Sequence, residues 1–222
     1  MSARPRFAVD AALFDLDGVI VDSEQINLDS AQRALAELDI ELPAELIQLV
    51  IGRHPMDYVP LLIRRLGLKP ELVELVLETQ DRLYSSIRAE RLRLLPGARS
   101  TLERLAGRGL RLALVTSSSR ETARESLRRF AITDYFEALI TAHDVVRRKP
   151  DPQPYRAALD ALGLPPARAI AIEDSPTGIS AARAAGLPVI AVASPAFKPS
   201  EIAHATYRVD GTAEVAALIH AA

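Results

Sequence analysis

The sequence predicts an α/β fold: a parallel sheet covered by helices on both faces, with one all-helical insertion. Three observations point there. From Pro96 onward short apolar runs alternate with helical repeats, the pattern of strand–helix crossovers and hence of a parallel sheet. Between about residues 24 and 92 only helical spacing occurs. That stretch puts roughly eighty residues between the first strand and the helix near 98, where a crossover needs about a dozen. An insertion is the simplest account, giving a core of residues 1–22 and 94–222 and a helical domain of 23–93.

Each element has a local reason. Strand one is expected over about 9–15, around the continuous apolar run Ala11-Ala12-Leu13-Phe14. Leu28, Ala31, Leu35 and Leu38 then fall at helical spacing, and Ile47 and Val50 mark a short helix after Pro43. Met56, Val59, Leu62, Ile63 and Leu66 form another face; Leu72, Val76, Leu83 and Ile87 form a longer one. Gly52, Gly67-Leu68-Lys69-Pro70 and Leu95-Pro96-Gly97 are the breaks. A helix through Leu102 and Leu105 precedes the strand Leu110 to Thr116, and a helix covers about 120–130. A short strand, Ala138 to Thr141, is followed by a helix over about 152–162 with a Pro-rich start. Ala169 to Glu173 is a strand, 176–185 a helix, Pro188 to Ala193 a strand and 212–220 a last helix. Gly178, Ala181, Ala182, Ala185 and Gly186 give the 176–185 helix a small-residue face for close packing on the sheet.

Composition narrows the function. Without cysteine there is no disulfide framework, zinc thiolate or thiol nucleophile. A net charge of −2, no Trp and only five Tyr and five Phe argue against nucleic acid as a partner. No apolar run approaches the ~20 residues of a membrane span, and Met1 to Asp10 lacks an apolar leader segment. The expectation is a cytoplasmic protein with no membrane partner, monomeric or weakly oligomeric.

The chemistry gathers at strand ends. Asp15 and Asp17 follow strand one in Phe14-Asp15-Leu16-Asp17-Gly18-Val19. Carboxylates at the end of a buried strand are costly unless a cation or donor meets them. Thr116-Ser117-Ser118 ends the second strand, Lys149 lies in RRKPDP after the third, and Glu173-Asp174-Ser175 ends the fourth. Each has a plain structural explanation: a turn, a helix cap, a helix entry, a solvated loop. All four at one sheet edge, where open α/β sheets bind ligands, form a coherent set. Asp15 would be the nucleophile toward a phosphate. Mg²⁺ on Asp15, the Asp17 carbonyl and Asp174, supported by Glu173, would offset the charge repulsion. Lys149 and Thr116 would stabilise the transferring oxygens. Asp17 would act as acid and then base, with Gly18 exposing the backbone N–H groups of Leu16 and Asp17.

DLDGVIVDSE, LVTSSS, RRKPDPQPY and IEDSPTGISAARAAGLPVIAV resemble, in order, the four motifs of the haloacid dehalogenase superfamily, in the subgroup similar to β-phosphoglucomutase and the small sugar-phosphate phosphatases. The resemblance spans essentially the whole chain. It implies a Rossmann-like parallel core with an inserted helical cap and Mg²⁺-dependent phosphotransfer. The second aspartate, Asp17, favours phosphoryl chemistry over carbon–halogen cleavage. In the mutase branch a cap histidine assists the transfer; the matching position is Asn27, and a neutral amide cannot relay a proton. Gly52-Arg53 matches the cap loop whose arginine grips a second phosphate. The phosphonatase branch needs a cap lysine for a Schiff base, and Lys69, the one lysine between 24 and 92, sits in a turn.

The expected function is hydrolysis of a small phosphorylated metabolite, a sugar phosphate in particular. Asp15, Asp17, Thr116 and Lys149 are the catalytic group. Asp15, Asp17, Glu173 and Asp174 serve the metal, and Gly18, Asn27, Arg53, Ser117 and Ser118 contact substrate. The alternatives are a β-phosphoglucomutase-like isomerase and a non-catalytic sensor of phosphate or metal. His54 is expected to be exposed; His143, His204 and His220 have no metal-ligand spacing and are expected to be structural or surface groups.

Overall fold

A computed structural model describes residues 6–222; Met1 to Pro5, within the N-terminal stretch discussed above, lie outside the described residues. The chain opens with β1 (Phe7–Val9) and β2 (Ala11–Phe14), separated by a bend at Asp10. Strand one is therefore two strands, and it ends at Phe14 rather than at Asp15. Asp10 bonds the Arg168 guanidinium through both carboxylate oxygens, which fixes the bend. Burial of Asp10 is slight, and the Arg168 hydrogen bond holds its carboxyl below the usual range.

β3 (Val21–Asp22) leads into α1 (Glu24–Ala36), α2 (Ile47–Val50), α3 (Pro55–Arg65) and α4 (Leu72–Arg91), and β4 (Arg93–Leu94) leads out. β3 and β4 pair with each other, and the Leu95 N–H bonds the Ile20 carbonyl at 2.9 Å. Two compact units result, Asp22–Arg93 and the remainder. The helical unit has its own core, in which Ala31, Ala34 and Leu35 of α1 join Tyr58, Val59, Leu62 and Ile63 of α3 and Val76 of α4. Ala31, Leu35, Val59, Leu62, Ile63 and Val76 are helical-spacing positions read from the sequence, buried because they share one face of each helix. Ala34 and Tyr58 join them without having been expected, and Met56, expected on the α3 face, is exposed.

The larger unit continues with α5 (Ala98–Ala106), β5 (Arg111–Val115), α6 (Arg120–Arg129), β6 (Ala138–Ile140), α7 (Gln153–Leu162), β7 (Ala169–Glu173), α8 (Pro176–Ala184), β8 (Val189–Val192) and β9 (Tyr207–Val209). Six strands form one sheet in the order β6-β5-β2-β7-β8-β9, every pair parallel. β2, β7 and β8 are buried along their whole length, as a sheet covered on both faces requires. The architecture is a Rossmann-like α/β core with an inserted helical unit. The chain builds outward from β2 on one side, then crosses back to build the other from β7. The strand order reverses between β2 and β7, and that is where a crevice opens at the carboxyl ends.

Two departures concern the end of the chain. The last helix expected over 212–220 is a single 3-10 stretch, Thr212–Ala217, followed by β10 (Ile219–Ala221), which pairs in parallel with β1. The helical pattern of Val215 and Leu218 is real, since both are buried. The exposed hydrogen-bonding edge of β1 nevertheless draws the following residues into a strand. β9 was not expected either: a three-residue edge strand with one buried end carries too little pattern. Among the described residues no helix is long and apolar enough to cross a membrane.

Candidate active site

Asp15 is the first residue beyond β2. Its N–H donates to the Ile172 carbonyl of β7 at 2.9 Å, so its backbone is fixed to the neighbouring strand. The chain then turns tightly. Gly18 N–H donates to Val21 O at 2.9 Å, and Ile20 and Val21 N–H both reach Leu16 O. Gly18 sits at φ 73°, the left-handed region that glycine enters without cost. A Cβ built there would also overlap the Asp174 carboxylate. Gly18 thus closes the turn and admits Asp174 beside it, which is a stronger reason for glycine than backbone freedom alone.

Glu173 ends β7 and Asp174 follows it; Asp15, Glu173 and Asp174 are all buried. Lys149 reaches them from the loop after β6, beside a cis Lys149-Pro150 bond. Its side chain is only 6% exposed. Nζ lies 2.8 Å from Asp15 Oδ1, 2.6 Å from Glu173 Oε1 and 2.8 Å from the Val115 carbonyl. Burial pushes the Lys149 pKa down, but the Asp15 and Glu173 carboxylates outweigh it and the net shift is upward, so the ammonium stays charged. Burial, together with the neighbouring Glu173 and Asp17 charges, pushes Asp15 up to about 7 against the pull of Lys149. One ammonium does not balance three buried acids.

That imbalance bears on a metal. One oxygen from each of Asp15, Glu173 and Asp174 lies within 4.8 Å of the others. An all-carboxylate set suits a hard divalent cation rather than a thiophilic one, and the missing positive charge is what such an ion brings. The residues present fit the group. The Asp17 side chain lies outside this cluster of three; its Oδ2 accepts the Ser118 hydroxyl at 2.8 Å.

Thr116 follows β5 and is buried, its Oγ1 accepting the Ser118 N–H at 3.0 Å. The helix-capping role open to this serine run falls to Ser119, whose Oγ accepts the Thr122 N–H at 3.1 Å. Ser118 is thereby left to Asp17, and Ser117 sits half-buried in the same loop. In the helical unit, Asn27 is half-buried and Arg53 exposed. The Asn27 Oδ1 accepts from Gln80 Nε2 at 3.1 Å and from the Tyr58 hydroxyl at 3.4 Å. His54 is half-buried rather than exposed, because its Nδ1 caps α3 by accepting the Met56 N–H at 3.2 Å. The other histidines take no part in the acid cluster; His143 Nδ1 accepts the Arg120 N–H.

Sequence reasoning missed four residues. Tyr155, wholly buried on α7, donates its hydroxyl to Glu173 Oε1 at 2.7 Å. Its place in KPDPQPY, six residues after Lys149, was the available signal. Gly178 belongs to more than a close-packing face: a Cβ there would overlap the Glu173 carboxylate. Gln80 and Tyr58, which hold Asn27, are polar groups inside a helical core that a search for apolar spacing passes over.

A parallel sheet that gathers buried acids and one buried lysine at its strand-order reversal, with a helical insertion after the first acids, defines a carboxylate-based hydrolase. The chain belongs to the haloacid dehalogenase-like hydrolase family, whose model matches residues 12–192. It is 30% identical over 182 residues to a phosphorylated carbohydrates phosphatase of Thermotoga maritima, covering 81% of this chain and 82% of that one. It is 34% identical over 188 residues to a plasmid phosphoglycolate phosphatase of Cupriavidus necator, covering 82% and 80%. Among solved structures, CbbY from Rhodobacter sphaeroides in complex with phosphate matches with a TM-score of 0.82 at 27% identity, over 93% of this chain and 96% of that one.

Proposed function

We propose that this protein is a Mg²⁺-dependent phosphatase that hydrolyses a small phosphate monoester, a sugar phosphate in particular. The observation that carries the reading is the bridge of Lys149 between Asp15 and Glu173, with Asp174 alongside. Asp15 attacks phosphorus and forms an acyl phosphate as the ester oxygen leaves. Asp17, held by Ser118, gives its proton to that oxygen and then takes one from the water that cleaves the acyl phosphate. Lys149 and Thr116 donate to the phosphoryl oxygens, as do the N–H groups of Leu16 and Asp17. Asp15, Asp174 and the Asp17 carbonyl would hold the Mg²⁺, with Glu173 behind them; the cation supplies the positive charge that lets a carboxylate approach a phosphate dianion.

The helical unit is proposed as the substrate-selecting cap, with Asn27 and Arg53 as its contacts. Phosphatase names among the relatives support hydrolysis, and the amide at Asn27 weighs against the isomerase alternative. The test is Asp15→Asn with an aryl phosphate and Mg²⁺. Turnover is expected to vanish together with acid-stable labelling of the protein by ³²P substrate. Metal-dependent turnover that survives in this variant would overturn the mechanism. Release of phosphate from a panel of sugar phosphates, measured against isomer formation, separates phosphatase from mutase.

A further inference from the structure

Glu173 is crowded with donors. Oε1 accepts Lys149 Nζ at 2.6 Å and the Tyr155 hydroxyl at 2.7 Å. Oε2 faces the Asp174 N–H at 3.2 Å, the Ser175 N–H at 3.3 Å and the Ser175 hydroxyl at 3.1 Å. A carboxylate offers about four lone-pair sites, so both oxygens are filled by the protein itself. The group is wholly buried, and α8 passes so close at Gly178 that a Cβ would overlap it. Of these five donors, three belong to the turn after β7 and cannot leave while α8 is formed. Lys149 is shared with Asp15. Tyr155 alone comes from a separate helix and serves no other acceptor among the described hydrogen bonds.

We propose that Tyr155 is a positioning residue: its hydroxyl occupies Glu173 Oε1, keeping that carboxylate as the anchor of Lys149 and withholding it from the metal as a third anionic ligand. The proposal rests on the metal site described above. Burial, followed by the nearby Glu173 and Asp15 charges, holds the phenol well above its ordinary pKa, so the hydroxyl remains a donor over the working range. The ring also lies against the lysine, with Nζ 5.2 Å from its centroid, and so fixes the approach of the ammonium. A site with two committed carboxylates suits Mg²⁺, which needs few protein ligands. An additional carboxylate favours Ca²⁺, which takes more oxygens and a looser geometry.

Tyr155→Phe removes the hydroxyl and keeps the ring. The measurement is the calorimetric affinity of the full-length, otherwise unaltered protein for Mg²⁺ and for Ca²⁺, each titrated alone. In Tyr155→Phe the ratio is expected to move toward Ca²⁺ by about fivefold or more, and kcat with Mg²⁺ to fall about tenfold while KM changes less than about twofold. Tyr135→Phe, which removes an exposed hydroxyl from the same unit, is expected to leave the ratio unchanged. An unmoved ratio in Tyr155→Phe overturns the assignment even if activity falls, and so does an equal shift in Tyr135→Phe. If the wild-type protein binds neither cation, the metal site itself is wrong, and the Tyr155 assignment falls with it.

Discussion

Gly178→Ala tests the packing around Glu173 most directly, because two known effects oppose each other there. Gly178 lies in the first turn of α8, where alanine would normally stabilise a helix by at most about 1 kcal/mol. Its φ is not in the left-handed region, so the backbone accepts a side chain. The new methyl, however, would overlap all three atoms of the Glu173 carboxyl group. That carboxylate is pinned by Lys149, Tyr155 and Ser175 and is wholly buried. Overpacking costs about 1–3 kcal/mol, and shifting Glu173 loses at least one charge-assisted hydrogen bond, about 1.5–3 kcal/mol. The net expectation is a destabilisation of about 2–4 kcal/mol. For a chain of this length that lowers Tm by roughly 5–15 °C. Calorimetry of the metal-free protein reads it, with Gly163→Ala as comparison. Gly163 has φ 62° and open space around it, so alanine there costs only backbone strain, about 1–2 kcal/mol. A neutral or stabilising Gly178→Ala would show that Glu173 is not held as described.

Other outcomes follow from the same geometry. Ser118→Ala removes the donor on Asp17 and should lower kcat about tenfold with little change in KM, since one hydrogen bond to a charged group carries about 1.5–3 kcal/mol; steady-state kinetics on an aryl phosphate checks it. Lys149→Met strands Asp15 and Glu173 without a cation and should destabilise the metal-free protein by about 3–5 kcal/mol, a loss that added Mg²⁺ should partly reverse in a denaturation experiment. The metal-free Asp15 carboxyl is pushed up to about 7. Metal binding must therefore release a proton, and apparent Mg²⁺ affinity should weaken as pH falls below about 7, with proton release visible by titration in buffers of different ionisation enthalpy. The stability of the metal-free protein carries the matching sign. Its folded state holds the Asp15 proton over a range where the unfolded chain, near 3.8, has lost it. The contribution of this group is full below about pH 4 and lost as pH rises through about 7.

Much of the site could be read before the structure, for a simple reason. Asp15, Thr116, Glu173 and Asp174 sit at or just past the ends of short apolar runs, and a parallel sheet places all such ends on one edge. Lys149 followed from its loop in the alternating part of the chain. What stayed hidden depends on contacts across the sheet. Tyr155 reads as one more apolar position of α7 until its hydroxyl is seen on Glu173. Gly178 reads as a small residue until the carboxylate beneath it is located. The C-terminal strand was masked by a stretch whose spacing suits a helix, and only the unpaired edge of β1 tells the two apart. Ser119 and Ser118 could not be divided between capping and Asp17 from order alone.

The short pairing of β3 with β4 has an evolutionary consequence. The chain departs for its helical excursion and returns through neighbouring backbone, with Leu95 bonded to Ile20. One apolar cluster lies within the larger unit and another within the helical unit. A graft that swaps everything between those two points for another bundle, or for a brief connecting loop, therefore keeps in the chain every residue of the acid cluster and of the six-stranded sheet. Under the proposal that the helical unit selects the substrate, recombination at this seam would trade one selectivity for another while the acid cluster is inherited unchanged.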